Sequence, residues 1–117
     1  MVDSDGDTIF GRIVRKEIPA DIVLETDRAL AFRDVSPQAP THVLVVPKAP
    51  IARLADATSD QQDLLGHLLW VAAEVARSLG VQDAYRVVVN SGAGAGQSVF
   101  HLHLHVLAGR RLGWPPG

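Results

Sequence analysis

HLHLHVL, running from His101 to Leu107, carries three of the chain's five histidines. A β-strand turns successive side chains to opposite faces. The spacing therefore predicts His101, His103 and His105 on one face and Leu102, Leu104 and Val106 on the other. One face is then chemical and the other is core. Side chains two apart on a strand sit roughly 6.5–7 Å from each other, so the imidazoles form a row. The residue types alone leave three readings open. The row is a solvated polar face, or alternate histidines converge on one zinc with a ligand from elsewhere. In the third reading one histidine is a nucleophile, flanked by imidazoles that move protons near neutral pH.

Working outward, YRVVVNS predicts a strand that leads into SGAGAGQS, Ser91 to Ser98. Such a loop can present backbone N–H groups to an anion, but it lacks the Lys-Ser/Thr ending of a P-loop. It adjoins the histidines in sequence, so it adjoins them in space. Further upstream, Ser59 with Gln62 reads as a capping box opening the longest helix. Leu64, Leu65, Leu68, Leu69, Ala72, Val75, Ala76 and Leu79 form its apolar stripe, and Gly80 is the natural residue past its end. At about 20 residues it would be roughly 30 Å long, enough to cover a sheet or to pair with a second copy. His67 beside the stripe reads as structural. THVLVVPK predicts a buried strand with His42 near its start, four residues after Gln38. A lone histidine there is usually structural, but the distant row makes it a candidate partner.

SPQAP is a turn, and DIVLETD with ALAFRD reads as a hairpin around Thr26-Asp27. Asp7 and Thr8 can cap a helix over IFGRIVRKEI that Pro19 stops. The order is helix, three strands, long helix, two strands, which makes an α+β domain on an antiparallel sheet.

The 117 residues are expected to form one domain, 1–117, with a flexible N-terminus at 1–6 and a C-terminal tail at 110–117. Net charge is −2 without a basic run, which argues against duplex nucleic acid as a partner. No apolar run approaches the ~20 residues of a membrane span. The chain has no cysteine, so disulfides and thiolate zinc sites are excluded. MVDSDGDT is acidic and resembles neither a signal nor a transit peptide, and a cytoplasmic protein is expected. Trp114, in the tail GRRLGWPPG, is costly to leave in water and predicts docking on its own body or on a second subunit.

HLHLHVL resembles the His-φ-His-φ-His-φ-φ signature (φ apolar) of the histidine triad superfamily. DTIFGRIVRKEIPA, AFRDVSPQAPTHVLVVPK, YRVVVNSG, GQSVFHLHLHVLAGR and the terminal WPPG resemble its Hint branch, the purine nucleoside phosphoramidases, from about Asp7 to Gly117. The resemblance implies a five-stranded sheet with one long and one short helix, pairing into a ten-stranded sheet in a homodimer. It implies His103 as the nucleophile on the α-phosphorus and His105 as a donor to the phosphate or leaving group. His101 and His42 would orient His103, His42 by direct contact, and Ser98 would hydrogen-bond the departing nitrogen. Asn90, Gly96 and Gln97 would line the phosphate site, and Asp34 would accept from the ribose hydroxyls. Ile9, Phe10, Ile13, Ile18, Phe32, Val35 and Leu44 would enclose the purine, and Trp114 would approach the partner's site.

The implied reaction is hydrolysis of the P–N bond in AMP–amine, AMP–lysine or aminoacyl-adenylate-like compounds, and of GMP conjugates, through a nucleotidyl-histidine, with no metal or cofactor. Protonating the nitrogen makes that bond labile, so a general acid matters more than a metal. The alternatives are a dinucleoside polyphosphate hydrolase or nucleotidyl transferase of the same superfamily, or a non-catalytic nucleotide- or zinc-binding module. Three features depart from relatives. They are the uncharged SGAGAGQ loop, Pro50 where some relatives carry a relay histidine, and Arg33 beside Asp34.

Overall fold

A computed structural model describes residues 7–117, so the expectation of a flexible 1–6 lies outside the described residues. The elements are α1 (Ile9–Val14), β1 (Ile22–Glu25), β2 (Ala29–Arg33), β3 (Thr41–Pro47), α2 (Gln62–Ser78), β4 (Tyr85–Val88) and β5 (Leu104–Ala108). All five strands join one antiparallel sheet in the order β1-β2-β3-β5-β4. The expected hairpin is present, with the β1–β2 turn closed by Thr26, whose Oγ accepts the Ala29 N–H at 3.0 Å.

Alternation along the strands sorts the sheet into two faces. Ala29, Ala31, Val43, Val45, Leu104 and Val106 pack with Leu102 against Leu68, Val71, Ala72 and Val75 of α2. Leu30, Phe32, Leu44 and Val46 face the other way and pack against Phe10 and Ile13 of α1. The register pairs Leu44 with His105 and His42 with Leu107, which puts both histidines on the α1 face.

Several boundaries differ from expectation, each for a local reason. The cap ahead of α2 is Thr58 with Gln61, one residue before the Ser59–Gln62 pair. The Gln61 side chain accepts the Thr58 N–H at 2.9 Å and heads a 3-10 turn, Ser59–Gln61, that leads into the helix. The helix ends as expected. Gly80 has φ of 72°, and the Gly80 and Val81 N–H groups return to the Arg77 and Ala76 carbonyls, a Schellman motif. Leu69 lies outside the buried stripe and is exposed, whereas Val71 is fully buried. His67 is structural, its Nε2 meeting Thr26 Oγ1 at 2.8 Å and tying α2 to the β1–β2 turn. The first helix stops at Val14, before Pro19, with Lys16 in the left-handed region. Trp114 does not dock on its own chain; it is 83% exposed.

Candidate active site

The two helices cover their faces unequally. At 1.5 Å per residue, the 17 residues of α2 extend about 25 Å, and the six of α1 about 9 Å. Beside α1 the sheet is left with an open cleft of about 560 Å³. Ile9, Phe10 and Ile13 of α1 line it, with Phe32 and Leu44 of the sheet, and of the other expected residues Asp34, Val35, Ser98, His103 and His105 line it too. Thr8 holds α1 in place by accepting the Gly11 N–H at 3.0 Å. Phe10 makes a T-shaped contact with each of two neighbours. Its ring centroid lies 5.4 Å from that of Phe32 at 71°, and 5.0 Å from that of His103 at 86°.

Hydrogen-bond partners fix which nitrogen of each histidine carries the proton. The His103 Nδ1 lies 2.7 Å from the His101 carbonyl, which can only accept. Nδ1 therefore carries hydrogen, and a neutral His103 has its lone pair on Nε2. The Gln38 backbone N–H can only donate, and it meets His42 Nδ1 at 3.0 Å. His42 must then carry its hydrogen on Nε2, which donates to His105 Nδ1 at 2.9 Å. That leaves His105 with an Nε2–H donor. The rings of His103 and His105 are 5.0 Å apart and both line the cleft. A lone pair and an N–H donor are thus set side by side.

Burial favours the uncharged form of these imidazoles. Desolvation pushes His103, His101 and His42 below the usual histidine range. It is also the main cause that takes His105 down to about 4, helped by the neighbouring His103 and His42. Asp34 opposes the shift at His42, with Oδ2 at 3.5 Å from Nε2. Its other oxygen accepts the Ser36 N–H at 2.8 Å.

The row of three histidines breaks at its first member. Regular pairing starts at Leu104, and His101 lies in a bend, buried, with Nε2 donating to the Pro47 carbonyl at 2.7 Å. It lines a second cleft with Pro50, away from the other two, and reaches His103 through its own carbonyl. His42 contacts His105 rather than His103, because the register sets it diagonally across from His105.

Asn90, Gly96 and Gln97 do not reach the wall of the main cleft, and Ile18 packs behind it on the α1 cluster. The Gln97 side chain is spent inside the glycine loop. Its Oε1 accepts the Gly92 N–H at 2.8 Å, and its Nε2 donates to the Ala52 and Val99 carbonyls. Pro19, Ala20, Asp21 and Val99 line the cleft without having been expected, as does Arg33, flagged only as variable. Asp21 gave no signal in the sequence, since it reaches the cleft through its pairing with Arg33 across the β1–β2 edge.

The profile of the HIT domain matches residues 15–112. The chain belongs to this family. An uncharacterized HIT-like protein of Synechococcus elongatus is 60% identical over 111 residues, covering 95% of this chain and 97% of its own. A HIT family hydrolase from Legionella pneumophila superposes with a TM-score of 0.92 at 46% identity, covering 95% of this chain and 100% of that one. A maize protein named as a 14 kDa zinc-binding protein is 50% identical over 115 residues, covering 97% of this chain and 90% of its own.

The last name makes the donor set of Asp34, His42 and His105 worth testing, since one ligand atom from each lies within 4.8 Å of the others. A zinc on His42 Nε2 would move that ring's hydrogen to Nδ1, where it would face the Gln38 N–H. Donor would then oppose donor, and the His42–His105 hydrogen bond would be lost. These residues, as arranged, do not fit a zinc ion.

Proposed function

We propose that this HIT protein is a metal-independent hydrolase of purine nucleoside phosphoramidates, working through a nucleotidyl-His103 intermediate. The observation that carries the reading is the tautomer pattern, an Nε2 lone pair on His103 beside an Nε2–H on His105. In the first step His103 Nε2 attacks the α-phosphorus and the P–N bond breaks. The departing nitrogen leaves as the amine with a proton taken from water in the open cleft, while the His105 Nε2–H and Ser98, both on the cleft wall, hydrogen-bond the leaving group. The His103 ring becomes cationic, and its Nδ1–H stays on the His101 carbonyl, which stabilises that charge. In the second step water attacks phosphorus and gives up a proton to solvent, the P–Nε2 bond breaks, and neutral His103 and the nucleoside monophosphate are released. His101 and His42 are positioning residues, one for the nucleophile and one for the donor.

The remaining cleft suits a nucleoside. Ile9, Phe10, Ile13, Phe32, Val35 and Leu44 offer apolar walls to a flat base, and Asp34 can accept two hydrogen bonds from a vicinal diol. The names of structural neighbours, a HIT family hydrolase and a histidine triad nucleotide-binding protein from Candida albicans, support the class. The edge position of β4, exposed Leu69 and exposed Trp114 support a homodimer, with the tail of one protomer near the site of the other. Light scattering should then return twice the 12.5 kDa chain mass, and a monomer mass would remove that part of the proposal. No helix among the described residues is long and apolar enough to cross a membrane.

Hydrolysis of a fluorogenic adenosine phosphoramidate with a chelator present, wild type against His103→Ala, tests the function. Turnover that resists the chelator and disappears in the variant is expected. Wild-type turnover of dinucleoside polyphosphates in preference to phosphoramidates would move the protein to the runner-up class.

A further inference from the structure

We infer that Arg110, the first residue beyond the β5 corner, is a positioning residue that holds His105 in its donor tautomer. The inference rests on the reading of His105 as the donor of the cleft. β5 ends at Ala108, and Gly109 follows with φ of 93°. A Cβ on Gly109 would stand 2.8 Å from the Pro40 Cβ, so only glycine lets the chain pass this close to the Ser36–Pro40 turn. The crossing sets the Arg110 guanidinium over that turn. Its Nε donates to the Gln38 carbonyl at 3.0 Å, and its Nη1 donates to the Arg111 carbonyl at 3.0 Å. Gln38 is thereby held at its carbonyl while its N–H is directed at His42 Nδ1.

That N–H decides the state of two rings. With it in place, the His42 hydrogen sits on Nε2 and His105 offers Nε2–H to the cleft. With Gln38 displaced, His42 is free to carry its hydrogen on Nδ1. His42 Nε2 then accepts, His105 must donate from Nδ1, and His105 Nε2 turns into a lone pair. The cleft loses its donor although no cleft residue has changed. Asp34, 3.5 Å from His42 Nε2, favours the first state, so loss of Arg110 shifts the populations rather than inverting them.

Imidazole ¹⁵N shifts of the full-length protein read the tautomers directly, with turnover of the adenosine phosphoramidate as the second readout. The wild type should show hydrogen on Nε2 of both His42 and His105. Arg110→Ala should populate the Nδ1–H form at both rings and lower kcat by about 3- to 10-fold, the scale of one hydrogen bond, with little change in KM. Arg110→Lys keeps a donor and should recover most of both. Arg111→Ala makes the same charge change beside it and should move neither. Unchanged tautomers in Arg110→Ala would overturn the inference, whether or not thermal stability fell. A tautomer shift in a protein that does not hydrolyse phosphoramidates would leave the inference standing and remove the functional reading.

Discussion

The two faces of one sheet have been put to opposite uses. The α2 face is sealed by small and medium aliphatic side chains, with Val43, Val45, Val71, Ala72, Val75 and Val106 all fully buried. Each such valine or leucine contributes roughly 1.5–3 kcal/mol of burial to folding. The α1 face carries larger side chains under a helix of six residues, and the area left uncovered is the cleft. His42, His103 and His105 lie on that face, where partial cover removes enough water to favour their neutral form but leaves the cleft open. The cleft is the part of the sheet that the short helix fails to cover. Stability and chemistry should therefore respond to mutation separately.

The largest expected effect is on the open face. His103→Ala should lower kcat by on the order of 10⁴-fold or more, while circular dichroism shows an intact fold and calorimetry shows AMP still bound. A variant that lost its fold along with its activity would mean the faces are not separable. Next in size, Leu68→Ala on the sealed face should cost about 2–5 kcal/mol in denaturant unfolding, with kcat per folded molecule unchanged. A change in kcat there would show that packing under α2 reaches the histidines.

The smallest effect is that of pH, and its sign follows from the lowered histidine values. As the proposed nucleophile, His103 has to be neutral in the free protein, and burial holds it below the ordinary value of about 6.5. The profile of kcat/KM should thus stay level as pH falls through 6.5 and drop only at lower pH, by about tenfold per unit. Stability follows the same direction. The unfolded chain binds protons on these residues below about 6.5 while the folded chain does not, so the contribution is complete above 6.5. It is lost as pH falls toward the value of about 4 at His105. An acid limb centred at or above 6.5 would mean the imidazoles are better hydrated than their burial implies.

The sealed face was legible because its signals are local. Leu102, Leu104 and Val106 alternate with histidines, and an alternation has only one strand reading. The apolar sector of α2 was broad enough to hide its centre. Both its Leu65–Leu69 edge and its Val71 edge are apolar, and only the sheet decides that Val71 is buried and Leu69 exposed. On the open face, the motif located the histidines but not their pairing. Contact of His42 with His105 depends on a strand register that spans 63 positions of sequence. At Gln97 the sequence hid a structural use of the side chain. An amide after a glycine loop looks like an anion donor, yet here it closes the loop. His101 shares the spacing of its neighbours, but the chain bends at it and its ring turns to the Pro47 carbonyl.

The central claim, that His103 is a nucleophile with its lone pair on Nε2, is tested most directly by trapping the adduct. Wild-type protein mixed with an adenosine phosphoramidate in a chelator, acid-free quenched and digested, should carry one adenylyl group on the peptide containing His103. Fragmentation should place it on that residue. An active enzyme with no adduct at any quench time, or with the group on His101 or His105, would contradict the account.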